Sequence, residues 1–197
     1  VTTLGKEFWF GFMENNGIPP EAPDQGIVVI TASEPAEGVL EYAGKSLPFS
    51  LATGQQFFHR IEDFDILHRT SGMIESKGVY IISSGNVSVY AFNERFRSAD
   101  GTVILPITTL GKDYYITSHF EVMTTTVNYE ANQNNESTLL VVGVENNTRV
   151  EITPSVWTLT GNAPLVPFFI DLNRGQSYQI KARGDLTGTR VRVVGEN

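Results

Sequence analysis

Leu4-Gly-Lys-Glu-Phe-Trp-Phe10 and Leu110-Gly-Lys-Asp-Tyr-Tyr-Ile116 are two versions of one pattern in a chain of 197 residues. In each version a glycine precedes a lysine, an acidic residue and a run of aromatic or apolar residues. Glycine accommodates the backbone angles of a tight turn, and aromatic residues are enriched in strands. The pattern therefore predicts the same turn and the same β-strand twice.

Three further pairs of segments recur in the same order along the chain. They are Val28–Ala32 with Leu140–Val144, Leu51–Phe57 with Leu172–Tyr178, and Ser76–Ile81 with Leu186–Val191. The separation within a pair drifts slightly, as insertions and deletions in loops would cause. We therefore expect a tandem duplication of about 110 residues per copy, with a first repeat over residues 1–109 and a second over residues 110–197.

Short apolar runs between turn residues make up most of the chain. They are Phe8–Met13, Gly26–Ala32, Gly38–Tyr42, Gln55–His59, Gly78–Ser83 and Asn86–Phe92 in the first repeat, and Tyr114–Phe120, Thr138–Gly143, Arg149–Thr153, Pro167–Leu172, Ser177–Ala182 and Arg190–Val194 in the second. Such runs predict an all-β fold of two tandem β-sandwich-like repeats of antiparallel strands. Phe57–Ser71 also has apolar residues at roughly helical spacing, which leaves a short helix or an irregular loop open there.

The two copies end differently. In the first copy the turn-like Ser84-Gly-Asn86 is followed by the strand-like Val87–Phe92, whereas the second copy stops two residues after Gly195. A missing strand would leave an open sheet edge, which natural proteins usually avoid. We therefore expect a fragment of a longer protein that lacks the last strand of its second repeat and continues into further domains of the same parent chain.

Composition excludes several classes of function. The chain has 22 acidic and 14 basic residues, a net charge of −8. This charge argues against nucleic-acid binding, because phosphate contacts need a basic surface. The absence of cysteine excludes disulfides, a thiol nucleophile and thiolate metal ligands. No apolar run approaches the roughly 18 residues of a membrane span. No serine-nucleophile elbow or phosphate-binding glycine loop occurs, so we expect no enzyme activity and no cofactor.

Three histidines are the first candidates for metal or acid–base chemistry. They are His59, His68 and His119. None stands in the i, i+4 or His-x-His arrangement of a metal site, and His59 and His119 fall in strand-like segments far apart in the sequence. Structural histidines with satisfied hydrogen bonds are therefore the favoured interpretation.

Glu62, Asp63 and Asp65 form the densest acidic cluster of the chain. Calcium prefers oxygen ligands, so these three residues are weak calcium candidates. The spacing of an EF-hand loop is missing. A solvated acidic loop is the favoured interpretation, and no metal site is predicted.

Arg95, Arg97 and Trp157 are the candidate ligand-binding residues. Arginine is favoured at interface hot spots, and both arginines lie in a polar stretch beside a strand-like run. The alternative for them is an internal ion pair in which Asp100 fastens the connector between the repeats. Trp157 lies among Thr, Gly and Asn, where an exposed ring would stack on a sugar or anchor an interface; covering the end of the sandwich is its alternative role.

Motifs along nearly the whole chain carry a family resemblance. They are Gly5–Asn16, Ser76–Ser84, Val87–Asn93, Ser98–Asp100, Leu105–Tyr115 and Glu145–Pro154. These segments resemble the IgGFc-binding protein N-terminal domain family, which is named for a vertebrate mucus protein that binds the Fc part of IgG. The resemblance implies an extracellular binding or adhesion module without catalysis, like those of large secreted or surface-anchored bacterial proteins. It identifies no ligand residues.

We therefore expect a non-catalytic adhesion module, secreted or on the surface of a bacterial cell, that binds a protein, a glycoprotein or a glycan of a host or of the environment. A structural spacer of a large surface fibre is the alternative. A glycan-active enzyme is a further one, because two carboxylates from separate strands can hydrolyse a glycosidic bond. A cleft with paired carboxylates would favour the enzyme. Exposed aromatic residues would favour the binding module, and featureless polar faces would favour the spacer.

Overall fold

The computed structural model describes residues 2–15, 25–62, 66–95, 98–119 and 136–195. The strands are β1 (Leu4–Phe10), β2 (Phe12–Met13), β3 (Gln25–Ala32), β4 (Ala36–Tyr42), β5 (Lys45–Leu51), β6 (Gln56–Ile61), β7 (Leu67–His68), β8 (Ile74–Glu75), β9 (Val79–Arg95), β10 (Ser98–Ile104), β11 (Asp113–Tyr115), β12 (Ser137–Val142), β13 (Thr148–Thr153), β14 (Phe168–Leu172), β15 (Ser177–Ala182) and β16 (Arg190–Val193). A short 3-10 turn covers Ile107–Thr109. The predicted all-β fold is confirmed. In the described part of the chain, no helix is long and apolar enough to span a membrane.

The described residues divide into two compact units. Unit 1 comprises residues 2–15, 25–62, 66–68, 76–95 and 98–110; unit 2 comprises residues 69–75, 111–119 and 136–195. The short strand β8 therefore belongs to unit 2, although it precedes β9 in the chain. The division at residue 109 stays a prediction.

Unit 1 is built around the long strand β9. Its first half pairs with β1 and β4, and its second half pairs with β3 and β10, all antiparallel. β5 then pairs with β4, and β6 pairs with β3. Every second residue of β9 from Val79 to Ala91 is buried, as expected for a strand that packs one face on a core.

Two glycines that the sequence assigns to turns lie inside strands. The predicted connector Ser84-Gly-Asn86 is wrong, because β9 runs through it without interruption. A side chain at Gly85 would collide with the carbonyl oxygen of Pro35, and one at Gly5, inside β1, would collide with Pro106. Both glycines therefore permit a close approach of neighbouring groups, which is the other common reason for glycine in a strand.

Unit 1 has three strands, β5, β7 and β10, in segments where the sequence predicts none. β5 contains Pro48 and lies at an end of the sheet, where a residue without an N–H is tolerated. β10 forms a hairpin with β9, so the expected connector between repeats is paired sheet. The helical alternative for Phe57–Ser71 is wrong in its described part: β6 pairs with β3 along its whole length, and β7 pairs in parallel with β2.

Each unit has its own hydrophobic core. The largest fully buried apolar side chains are Phe8, Ile30, Leu40, Ile61, Ile66, Leu67 and Ile81 in unit 1, and Ile152, Leu172, Ile180 and Leu186 in unit 2. Burying an apolar side chain of this size contributes about 1.5–3 kcal/mol. The alternating pattern of the strands therefore fixes which face of each sheet stays outside and is available for binding.

Unit 2 contains a four-stranded sheet in the order β11-β16-β13-β14 and a three-stranded sheet in the order β12-β15-β8. The order β1-β9-β4-β5 in unit 1 corresponds to the first of these sheets. The register corresponds as well, because Leu40 lies opposite Ile81 in unit 1 and Ile152 lies opposite Val191 in unit 2. Both pairs contribute to the core of their unit.

The turns before β6 and β15 are also built alike. The amide of Gly54 donates to the carbonyl of Ala32 at 2.8 Å, and the amide of Gly175 donates to the carbonyl of Gly143 at 2.8 Å. In both turns the glutamine after the glycine accepts, through Oε1, a hydrogen bond from the backbone N–H three residues earlier, at 2.8 and 2.7 Å. The recurring Gly-Gln sequence thus has the same local structure twice.

Candidate binding sites

Four outward-facing side chains form a row across the sheet of unit 1. Trp9, Tyr80, Glu41 and Ser46 lie directly opposite one another on β1, β9, β4 and β5, and opposite residues of antiparallel strands share one face. The rings of Trp9 and Tyr80 are stacked, with centroids 4.5 Å apart and planes inclined by 27°. The Ser46 hydroxyl donates to the Glu41 carboxylate at 3.4 Å. We call this set the aromatic–carboxylate row.

The row borders a shallow groove of about 310 Å³. Tyr42, Lys45 and the turn between β4 and β5 line the groove as well. In this turn Ala43 and Gly44 have φ values of 46° and 73°, the left-handed region that a two-residue type I′ hairpin turn requires. The groove therefore combines aromatic rings with a carboxylate, an ammonium group and a hydroxyl.

Tyr42 connects the groove to His59. The Tyr42 hydroxyl and His59 Nε2 are 2.8 Å apart, and Lys45 Nζ lies 5.5 Å from the centroid of the Tyr42 ring. Burial lowers the pKa of His59 from its ordinary value, and the positive charge of Lys45 lowers it further, against a smaller opposing effect of Glu62. The lowered pKa favours the neutral imidazole beside Tyr42.

The equivalent row in unit 2 carries different chemistry. Tyr115, Arg190 and Thr153 stand at the positions of the tryptophan, the tyrosine and the glutamate. Arg190 donates from Nε and Nη2 to the two oxygens of Asp113 at 2.9 and 2.6 Å, and its guanidinium lies 5.8 Å from the Tyr115 ring centroid. The hydrogen bonds lower the pKa of Asp113 and raise that of Arg190. This row is occupied by its own ion pair.

A second bidentate pair lies on the same face. Arg192 donates from Nε and Nη2 to the carboxylate of Glu151 at 2.7 and 2.9 Å. The hydrogen bonds lower the pKa of Glu151 and raise that of Arg192. Beside this pair, Arg149 lies 5.0 Å from the Phe169 ring centroid and 3.9 Å from the Asp171 carboxylate. The outer face of this sheet therefore consists largely of paired opposite charges.

Trp157, the predicted aromatic candidate, stands on an exposed loop of unit 2. The residue is 62% exposed, and Leu165 and Val166 on the same loop are 78% and 56% exposed. Singly exposed apolar residues are normal on a protein surface, but several on one loop indicate an interaction site. We call residues 155–167 the tryptophan loop.

Hydrogen bonds within the tryptophan loop hold its shape. The hydroxyls of Thr158 and Thr160 both donate to Oδ1 of Asn162, at 3.0 and 2.8 Å. The amide of Leu165 donates to the carbonyl of Pro154 at 2.8 Å, while Leu165 itself has a φ of 60°. A non-glycine residue in this region is uncommon and marks a backbone fixed by its surroundings.

The two arginine candidates belong to the hairpin of β9 and β10. The backbone of Arg95 ends β9, whereas its side chain and Arg97 lie outside the described residues. Asp100 is exposed and lies opposite Asn93 in the hairpin. The ion pair expected for Asp100 stays a prediction.

The acidic candidates are only partly described. Glu62 is exposed, and Asp63 and Asp65 lie outside the described residues. Within the described ranges, no group of three or more histidine, aspartate or glutamate residues is placed to hold a metal ion. The calcium interpretation therefore stays untested at this cluster.

His59 and His68 have environments that agree with structural roles, and His59 is hydrogen-bonded to Tyr42. His68 is fully buried, and its Nδ1 donates to the carbonyl of Phe12 at 2.7 Å. This bond joins the parallel strands β2 and β7. His119, by contrast, is exposed.

Sequence reasoning missed the aromatic–carboxylate row. Trp9 lies in the apolar run Phe8–Met13, which is typical of a core strand, but the residue is half-buried and borders the groove. The outward position of Trp9 follows from the alternation of side chains along a strand, because Phe8 and Phe10 on either side of it are buried in the core. The partners of Trp9 depend on the pairing of four strands, which alternation alone does not give.

Comparison with known proteins gives one family match. Residues 100–195 match the family described as IgGFc binding protein. No curated protein and no solved structure matches the chain. The matched segment includes the tryptophan loop and both bidentate ion pairs, whereas Trp9, Glu41 and Tyr80 lie outside it. The similarity to the IgGFc-binding protein family is therefore found over residues 100–195, just under half of the chain.

Proposed function

We propose that the chain is a non-catalytic extracellular adhesion module that binds a protein partner through the tryptophan loop. The exposure of Trp157 on this ordered loop carries the proposal. The family match supports it, since the family is described by the binding of a protein, the Fc part of IgG. A secreted or cell-surface location, on a bacterium, is part of the same proposal.

The loop has the physical properties of a binding hot spot. Tryptophan is enriched at hot spots because its ring buries a large apolar area with few rotatable bonds. Leu165 and Val166 add further exposed apolar surface on the same loop. The hydrogen bonds to Asn162 keep the loop in one shape, so association pays less entropy for ordering it.

The repeated strand order and register support a tandem duplication of one β-sandwich-like unit. Leu40 and Ile152 stand at equivalent core positions, and Gly54 and Gly175 at equivalent turns. The same regularity favours the structural spacer as the second candidate function, because fibres are commonly built from repeated domains.

Binding of the Fc fragment of human IgG to the immobilised chain tests the proposal, with the affinity measured by surface plasmon resonance. We expect saturable binding that Trp157→Ala weakens by about tenfold or more, as for a hot-spot residue. Phe58→Ala is the matched control, because Phe58 is 60% exposed in unit 1, and it should bind like the wild type.

Equal binding by Trp157→Ala and the wild type would contradict the role of the loop. If Fc does not bind, an array of extracellular host proteins replaces it as the probe. Binding to no protein on that array would overturn the adhesion proposal and favour the spacer.

A further inference from the structure

We propose that the groove of unit 1 beside the aromatic–carboxylate row binds a neutral saccharide. This site and this ligand class are separate from the protein-binding loop of unit 2. The groove residues also lie outside the segment that matches the family.

The aromatic side of the groove suits the apolar face of a sugar ring. Trp9 and Tyr80 stack on each other, so each ring covers one face of the other, and both line the groove. Together they form its aromatic side. Neighbouring positions across a sheet are about 5 Å apart. The aromatic side therefore continues directly into the polar positions on β4 and β5.

The polar side of the groove suits hydroxyl groups. Glu41 supplies two acceptor oxygens, Lys45 supplies N–H donors, and Ser46 can donate or accept. A sugar hydroxyl is both a donor and an acceptor, so it can pair with all three. One carboxylate and one ammonium group leave the lining without net charge, which favours a neutral ligand over a charged one.

Comparison of the two units shows that the fold does not require this row. At the equivalent positions of unit 2 the same strands carry Tyr115, Arg190 and Thr153, with the arginine bound by Asp113. Unit 1 therefore has stacked aromatic rings and a carboxylate on a framework that accepts other residues.

Fluorescence of Trp9 offers a direct test, because the chain has two tryptophans. In a Trp157→Phe variant, Trp9 is the only tryptophan, and its emission reports on the groove. The variant is titrated with a panel of glucose, galactose, mannose, N-acetylglucosamine, N-acetylgalactosamine and their β-linked disaccharides up to high millimolar concentration.

We expect a saturable change of emission with at least one sugar of the panel. Glu41→Gln in the same background should weaken that binding by about tenfold, since the charged acceptor is replaced by a neutral amide whose hydrogen bonds are weaker. Glu37→Gln is the matched control. Glu37 is exposed on the same face of β4, four residues before Glu41, and does not line the groove, so its replacement should leave the affinity unchanged.

Two results would overturn the saccharide site: no saturable change with any sugar of the panel, or equal affinities for Glu41→Gln and Glu37→Gln. Neither result bears on Fc binding, which is measured separately on variants of Trp157. Failure of one proposal is therefore distinguishable from failure of the other.

Discussion

Arg192 and Glu151 lie directly opposite each other on β16 and β13 and are joined by two hydrogen bonds of 2.7 and 2.9 Å. Arg190 binds Asp113 on β11 in the same bidentate manner. Charge-assisted bonds of this geometry are stronger than single neutral ones and fix the orientation of both side chains. The two pairs therefore connect three strands of unit 2 on its outer face.

These pairs predict that unit 2 loses stability as the pH falls. The pKa of Asp113 and the pKa of Glu151 are lowered from ordinary values of 3.8 and 4.5. A carboxylate whose pKa is lower in the folded state stabilises the fold above its unfolded pKa, and this contribution is lost as pH falls through the folded pKa. The Tm of unit 2, followed by the emission of Trp157 in a Trp9→Phe background, should decline below about pH 4.5.

Replacement of both carboxylates, Asp113→Asn with Glu151→Gln, should lower the Tm at neutral pH and flatten its decline in acid. Asp171→Asn serves as the matched control, because its carboxylate lies 3.9 Å from Arg149 in an exposed pair; such pairs contribute little. If the Tm of the double variant declined in acid as that of the wild type does, Asp113 and Glu151 would not be the cause of the decline.

Leu40 in unit 1 and Ile152 in unit 2 stand at corresponding core positions, so we expect truncation of either side chain to destabilise its unit to a similar degree. Leu40 and Ile152 are both fully buried, so Leu40→Ala and Ile152→Ala should each lower the free energy of unfolding by about 2–5 kcal/mol. Urea unfolding followed by the emission of Trp9 in a Trp157→Phe background reports on unit 1, and the emission of Trp157 in a Trp9→Phe background reports on unit 2. Val39→Ala, at a half-buried position on the opposite face of β4, should cost less than about 1 kcal/mol. A loss of that small size at Leu40 or Ile152 would contradict the equivalence.

Much of the strand pattern was predictable because alternation and turn residues are local signals. The Gly-Gln turns at Gly54 and Gly175 recur in the sequence and in the hydrogen bonds alike. The long strand β9 was predicted in two pieces, because Gly85 resembles a turn residue when the packing of Pro35 against it is unknown. Tertiary contact, rather than local preference, decided the structure at this point.

The candidate sites were predictable to different degrees. Trp157 stands out in the sequence because its polar neighbours indicate a loop. The groove of unit 1 was not predictable, because Trp9, Tyr80 and Glu41 come from three strands and meet only through their register. A shift of one residue in either pairing would turn one member to the core face.

His68 predicts a strong effect of a single buried hydrogen bond. His68→Ala leaves a cavity and removes the donor to the Phe12 carbonyl, so we expect a loss of about 3 kcal/mol in the free energy of unfolding. His119 is exposed, and His119→Ala should stay within about 0.5 kcal/mol of the wild type. Chemical denaturation of both variants measures the difference. Equal stabilities would show that His68 has no structural role.

Replacement of glycine by alanine should lower the free energy of unfolding by the same amount in each of the two Gly-Gln turns. Gly54 and Gly175 have φ values of 81° and 78°, a region that costs a residue with a side chain about 1 kcal/mol or more. Gly54→Ala and Gly175→Ala should therefore each lower the free energy of unfolding by about that amount, measured by urea denaturation. Gly111→Ala is the control, since a methyl group there meets only an ordinary contact, 3.8 Å from the Tyr114 hydroxyl. Because Ala restricts the unfolded chain more than Gly does, this control should be neutral or slightly stabilising. A control variant as unstable as the two turn variants would show that loss of glycine itself, rather than the left-handed backbone, is responsible.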